Sequence, residues 1–183
     1  NLMLGWKTLA ALVAILAIGA VSFWAARSAA IDKAPKDVIA GIQARVAVGA
    51  GGWNACLHNR QFGPVYGGAA RANPDSVVSI MAYDLADGPV RVAGETWPDY
   101  WSLSLYEQNS DAFYVLNDRE IEGAEFELIL KTSAQQVDID GAKIVTSPSP
   151  RGIMLIRRFV KTEAHMPGIL ENQDRLSCAP LNS

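Results

Sequence analysis

The 183-residue chain is short of the residues that build disulfide scaffolds and many active sites, with two cysteines and two histidines. Two cysteines cannot frame a disulfide-dense secreted scaffold. With His58 and His165 alone, and no Gly-x-Ser-x-Gly elbow, a serine triad has little support. There is no glycine loop of the phosphate-cradling kind and no His-Glu-x-x-His helix. Basic residues are not in excess: 16 Lys and Arg stand against 19 Asp and Glu. The isoelectric point near 5.4 excludes the usual footprint of a nucleic-acid binder. Charge is sparse at 19%, while half of the residues are hydrophobic. That balance excludes a disordered chain, which buries too little surface to offset its ordering entropy. Neither an internal repeat nor a low-complexity tract is present. Nothing in the sequence calls for a metal or a cofactor.

The hydrophobic excess is concentrated at the start. Thr8 to Ala26 contains no charged residue and is bracketed by Lys7 and Arg27. About 20 apolar residues cross a bilayer, so this run is long enough, at the short end. Trp6 and Trp24 lie about 27 Å apart along a helix axis, suiting an indole at each headgroup boundary. A secretory signal would have an apolar core of only about 7–15 residues, although Ser28-Ala29-Ala30 offers a small-residue cleavage site. The length favours an uncleaved transmembrane anchor over residues 1–31. Its flanking charges do not place the amino-terminus inside, because Arg27, Lys33 and Lys36 follow the run while Lys7 precedes it. Ala10, Ala14, Ala17 and Ala20 form a small-residue stripe of the kind that admits another helix in lipid. Plain alanine richness explains it equally well.

Residues 32–48 have helical periodicity, with a start at Pro35 or Asp37, and are expected to form a juxtamembrane helix. Residues 49–75 are glycine-rich and punctuated by Trp53, Phe62 and Tyr66, which predicts an irregular segment packed down on the domain. From Ser76 the period changes to two. Eight strand candidates follow: SVVSIMAYDL, VRVAG, YWSLSLYEQ, AFYVLN, EFELILKT, QQVDI, AKIVTS and IMLIRRFV. Short strands divided by turn residues predict an antiparallel β-sandwich or jelly-roll-like domain over residues 49–183. Asp140-Gly141 signals a hairpin turn rather than part of a calcium loop, because the further oxygen ligands do not follow. A short helix is expected around residues 168–176, then an extended tail. The whole is mainly β, with one transmembrane helix ahead of it and short flanking helices.

Cys56 and Cys178 have three arrangements open to them: a disulfide, two free thiols, or a zinc site with His58 and His165. A bridge would tie the glycine-rich segment to the carboxy-terminal tail and would require export across a membrane. Glu120, Glu122, Glu125 and Glu127 are expected on a solvated strand face rather than as a catalytic carboxylate pair. Asp84 shares a strand face with Val78, Ile80 and Ala82, and Arg158 shares one with Met154, Ile156 and Val160. If both faces are interior the two charges must be compensated, so a buried Asp84–Arg158 ion pair is expected.

Several strings then fall in a telling order. These are Asn-Ala-Cys-Leu-His58-Asn-Arg60, Arg-Ala-Asn73-Pro-Asp75-Ser and Tyr83-Asp84-Leu-Ala-Asp-Gly88-Pro89. After them come Tyr100-Trp-Ser-Leu-Ser-Leu-Tyr106, the Arg157-Arg158 strand and Leu170-Glu-Asn-Gln173-Asp174. Residues 54–182 thereby resemble the bacterial family filed as domain of unknown function 1254. Pro74, Ser76, Val78 and Arg157 depart from the family pattern of Arg, Thr, Tyr and Gly. The resemblance implies a β-sandwich or jelly-roll fold in the cell envelope, with no established reaction. Longer members continue into a companion β-rich domain, so the resemblance also implies a separate protein carrying that domain as a partner.

The functional expectation is a membrane-anchored periplasmic protein of the bacterial inner membrane, acting as a non-catalytic subunit or binding module alongside other membrane subunits. The alternative is an envelope enzyme or small-ligand binder using His58, Arg60, Asn73, Asp75, Asp84 and Arg158.

Overall fold

The alternating segments resolve into two stacked β-sheets in a computed structural model that describes residues 2–61, 73–121 and 123–181. The chain divides into two units, one ending at Val38 and the other running from Ile39. The described residues of the first belong to α1 (Leu2–Ala50), and every residue from Gly5 to Ala34 is exposed. By length and composition this helix can cross a membrane. The expected break before a juxtamembrane helix does not occur. Pro35 lies inside one continuous helix, although its ring nitrogen offers the Ile31 carbonyl no hydrogen.

In the second unit, the last turns of α1 bury Ile39, Gln43 and Val46 at helical spacing. One sheet has the order β1 (Cys56–His58), β2 (Ser76–Asp84), β8 (Arg151–Phe159), β4 (Trp101–Glu107), β5 (Ala112–Asn117). The other has the order β7 (Lys143–Thr146), β6 (Glu125–Lys131), β3 (Val90–Glu95), β9 (Ser177–Pro180). All neighbours are antiparallel except β6 and β7. Between β8 and β9 come one 3₁₀ turn (Glu163–His165) and α2 (Met166–Asp174). The inner faces meet in a core containing Met81, Leu103, Leu105, Val92, Leu128 and Met154. Trp101 and Phe126 stack at 5.3 Å across it.

Two expectations about strands change. QQVDI alternates but forms no strand. Instead Gln135 ties down its neighbourhood: its Oε1 accepts from the Thr132 amide at 2.9 Å and its Nε2 donates to the Leu85 carbonyl at 2.7 Å. The chain between β6 and β7 must therefore cross over, because parallel neighbours cannot be joined by a two-residue hairpin. Gly141 still turns the backbone, with φ +82°, but outside any hairpin.

One close approach fixes a glycine. Tyr83 lies directly opposite Gly152, and its hydroxyl crosses above it to donate to the Tyr106 carbonyl or the Ser147 hydroxyl, 3.1 and 3.0 Å away. A Cβ at Gly152 would sit 2.1 Å from both the Tyr106 carbonyl oxygen and the Tyr83 hydroxyl, so no larger residue fits without moving the strands. Burial pushes the Tyr83 hydroxyl up to about 12, so it remains a phenol at any ordinary pH.

Candidate functional site

Strand register explains which polar residues meet. Opposed residues of antiparallel strands point to the same face. His58 opposes Ser79, Ser79 opposes Ile156 and Val77 opposes Arg158. His58, Ser79 and Arg158 therefore all face inward at one end of the five-stranded sheet. Over them lies α2, whose buried face supplies Ile169, Asn172 and Gln173.

Ser79 Oγ, fully buried, is the hub. It accepts from Arg158 Nη1 at 3.0 Å and from Gln173 Nε2 at 3.2 Å. A hydroxyl has two acceptor sites and one hydrogen. His58 Nδ1 lies 3.0 Å from the same oxygen and shares one hydrogen with it. The His58 ring is half-buried there. Burial holds its pKa below 6.5, the Arg60 and Arg158 charges push the same way, and Asp174 opposes them.

Arg158 is 2% exposed. Its Nε donates to Asn172 Oδ1, and Asn172 Nδ2 reaches the Glu95 and Thr96 carbonyls, each at 3.2 Å. Burial brings the guanidinium down to about 10, which leaves it charged at neutral pH. Among the described residues it has no carboxylate at ion-pair distance. Gln173 Nε2 also spans the Asn59 and Val78 carbonyls at 3.3 and 3.2 Å, while its buried Oε1 has no partner among the described residues. Outside the cluster, Arg60 pairs with Asp174 at the surface, and that contact holds the Asp174 carboxyl below its usual range.

The expected Asp84–Arg158 pair does not exist. Asp84 opposes Arg151 and points to the outer face, seven residues along β8 from Arg158. Its Oδ2 accepts from Arg151 Nε at 2.7 Å, and Arg151 lies 5.0 Å from the Trp53 ring centre. Asn54 bonds both the amide and carbonyl of Asp84. Parity could not have revealed this, because both faces of β2 are covered and both are apolar. Asn73 and Asp75 are exposed and form a local turn at the entry to β2, with the Asp75 amide donating to Asn73 Oδ1 at 3.0 Å. The structure thus gathers His58 and Arg158, sets Arg60 beside them, and sends Asn73, Asp75 and Asp84 elsewhere. Ser79, Asn172 and Gln173 escaped sequence reasoning. Asn172 and Gln173 had one signal, the Leu170-Glu-Asn-Gln173-Asp174 string, and Ser79 had none.

Of the three arrangements open to the cysteines, the structure takes the disulfide. Cys56 and Cys178 are bonded, with Cα atoms 5.4 Å apart, joining β1 of one sheet to β9 of the other. His165 meets Thr162 instead of a metal partner. No group of described side chains suits a metal ion. Glu127 pairs with Arg91 and Glu125 is exposed, whereas Phe62, Tyr66 and Glu122 lie outside the described residues. The small-residue stripe of Ala10, Ala14, Ala17 and Ala20 is exposed along α1. A cleft of about 270 Å³ lined by Trp97, Gly168, Glu171 and Arg175 also reaches Asn172.

A disulfide-joined pair of sheets with a polar cluster under its last helix now has a family. The model of a protein of unknown function (DUF1254) matches residues 53–180, and the chain belongs to that family. Among solved structures, it is similar to the VPA0106 protein from Vibrio parahaemolyticus, at 16% identity and a TM-score of 0.55 over 60% of this chain and 29% of that one. It is also similar to a putative uncharacterized protein from Burkholderia cenocepacia, at 17% identity and a TM-score of 0.44 over 76% of this chain and 38% of that one. The chain thus spans well under half the length of either. No curated protein matches.

Proposed function

We propose that this protein is anchored in the bacterial inner membrane by a single helix. Its β domain stands in the periplasm as a non-catalytic subunit or binding module of an envelope complex. The observation that carries this reading is one chain holding both an exposed, uncharged helical run and a domain closed by a disulfide. Exposed apolar helix is stable in lipid, and a structural disulfide persists in an oxidising compartment. The fold also occupies under a third of the Vibrio chain, which fits a domain that works beside others.

The polar cluster favours a structural role over an enzymatic one. Ser79 is fully buried and bonded to Arg158, and Arg158 is almost wholly buried, so neither is free to meet a substrate. The experiment is purification of the native protein from membranes in mild detergent, with intact mass, thiol-labelling and protease accessibility from the periplasmic side. Associated membrane proteins, a retained anchor, no free thiols and outside cleavage are expected. A lone, processed monomer with two free thiols would sink the proposal.

A further inference from the structure

The sandwich has two long sides, and only one is fastened. On one, β1 and β9 are joined by Cys56–Cys178. On the other, β5 and β7 end their sheets with no such link. A groove of about 520 Å³ opens there, walled by Tyr114, Val115, Leu116, Ile121 and Phe126. Proteins guard exposed edge strands with lysine, proline, bulges or cover, because a row of unpaired amides and carbonyls templates another strand. β7 carries Lys143. β5 reads Ala-Phe-Tyr-Val-Leu-Asn, with neither charge nor proline, and Val115 is 49% exposed. Its bulge, where Phe113 is the extra residue, lies near the amino-terminal end and leaves Tyr114–Asn117 regular.

We propose that β5 is a docking edge that accepts an extended segment of another polypeptide, apolar at alternate positions and flanked by lysine or arginine. This rests on the subunit reading and names the surface that reading needs. The charges decide the occupant. Asp111 and Asp118 bracket the strand, and Glu120 and Glu125 rim the groove, against Arg119 and Lys143. A second copy paired antiparallel over all six residues would set Asp111 against Asp118 at both ends, and like charges directly opposed destabilise a sheet. A basic-flanked strand gains at the same positions.

The test is photo-crosslinking of the full chain in native membranes, with p-benzoylphenylalanine in place of Val115 and, for comparison, of Ser177 on β9. The expected product joins position 115 to a stretch of another protein bearing Lys or Arg beside the crosslink, with little product from position 177. Reversing two charges by Asp118→Lys with Glu120→Lys should lower the yield about five-fold, the scale of two cross-strand ion pairs. Retention of the disulfide and of the circular dichroism spectrum checks that this variant folds. A crosslink to a second copy, to lipid alone or to an acidic stretch overturns the proposal, as does a yield that ignores the charge reversal. Associated proteins whose crosslinks arise only away from β5 overturn the docking edge and leave the subunit reading standing. A complete lack of associated proteins overturns both.

Discussion

The two long sides of the sandwich are built by opposite means. The β1/β9 side is closed three times over: by a disulfide, by α2 and by a buried network centred on Ser79 Oγ. The β5/β7 side has none of these and leaves a groove lined with aromatic and aliphatic side chains and with Glu120, Glu125, Glu127 and Lys143. One side spends its polar groups on itself, while the other leaves a strand's backbone for something else to bond. Stability and recognition are thereby assigned to separate edges of one core.

Breaking the closed side should cost most. Replacing Cys56 and Cys178 with Ser releases a loop of 122 residues, and about 4 kcal/mol of stability should go, read as a fall in urea midpoint with a steeper slope as the unfolded chain expands. Arg158→Ala should cost about 3 kcal/mol, because it removes a donor from Ser79 and from Asn172 in a buried site. Arg158→Met should recover part of this by refilling the volume. A loss no larger than for an exposed arginine would refute the network's role.

Acid gives a gentler probe of the same side. His58 has a folded pKa below its unfolded 6.5, so between the two values the unfolded chain binds the extra proton. Stability is therefore complete above about pH 6.5 and falls as the pH drops toward the folded pKa. Unfolding midpoints from pH 8 to pH 5 should show this fall, and His58→Gln should flatten it. Smallest of all, Val115→Lys on the open side should change stability by under about 0.5 kcal/mol, as exposed substitutions generally do. A large loss there would show β5 to be part of the folding core rather than a free edge.

Sequence reading reached most of this architecture through period two alone, because strands such as EFELILKT bury Phe126, Leu128 and Leu130 at alternate positions. It failed where alternation has another cause, as in QQVDI, whose Gln135 plugs the loop instead of joining a sheet. It also missed β1 and β9. Cys-Leu-His and Ser-Cys-Ala-Pro are too short to display a period, and each is a strand only because a neighbour pairs with it. The candidate site was half legible. Arg158 stood out as a charge placed against the pattern and His58 through the His58-Asn-Arg60 string, but Ser79, Asn172 and Gln173 look ordinary until the register opposes Ser79 to His58 and α2 closes above them.

The amino-acid sequence by itself determined the uncharged helical run, the β-rich class, the family and the two cysteines that would matter. Each of these depends on composition or on short-range periodicity, which one strand or helix carries alone. Only the tertiary structure decided that Asp84 pairs with Arg151, that Arg158 is held by neutral groups, and that one edge is fastened while its opposite is open. Those outcomes depend on which face of each sheet meets the core. When both faces are covered, the alternation of side chains cannot say which one that is.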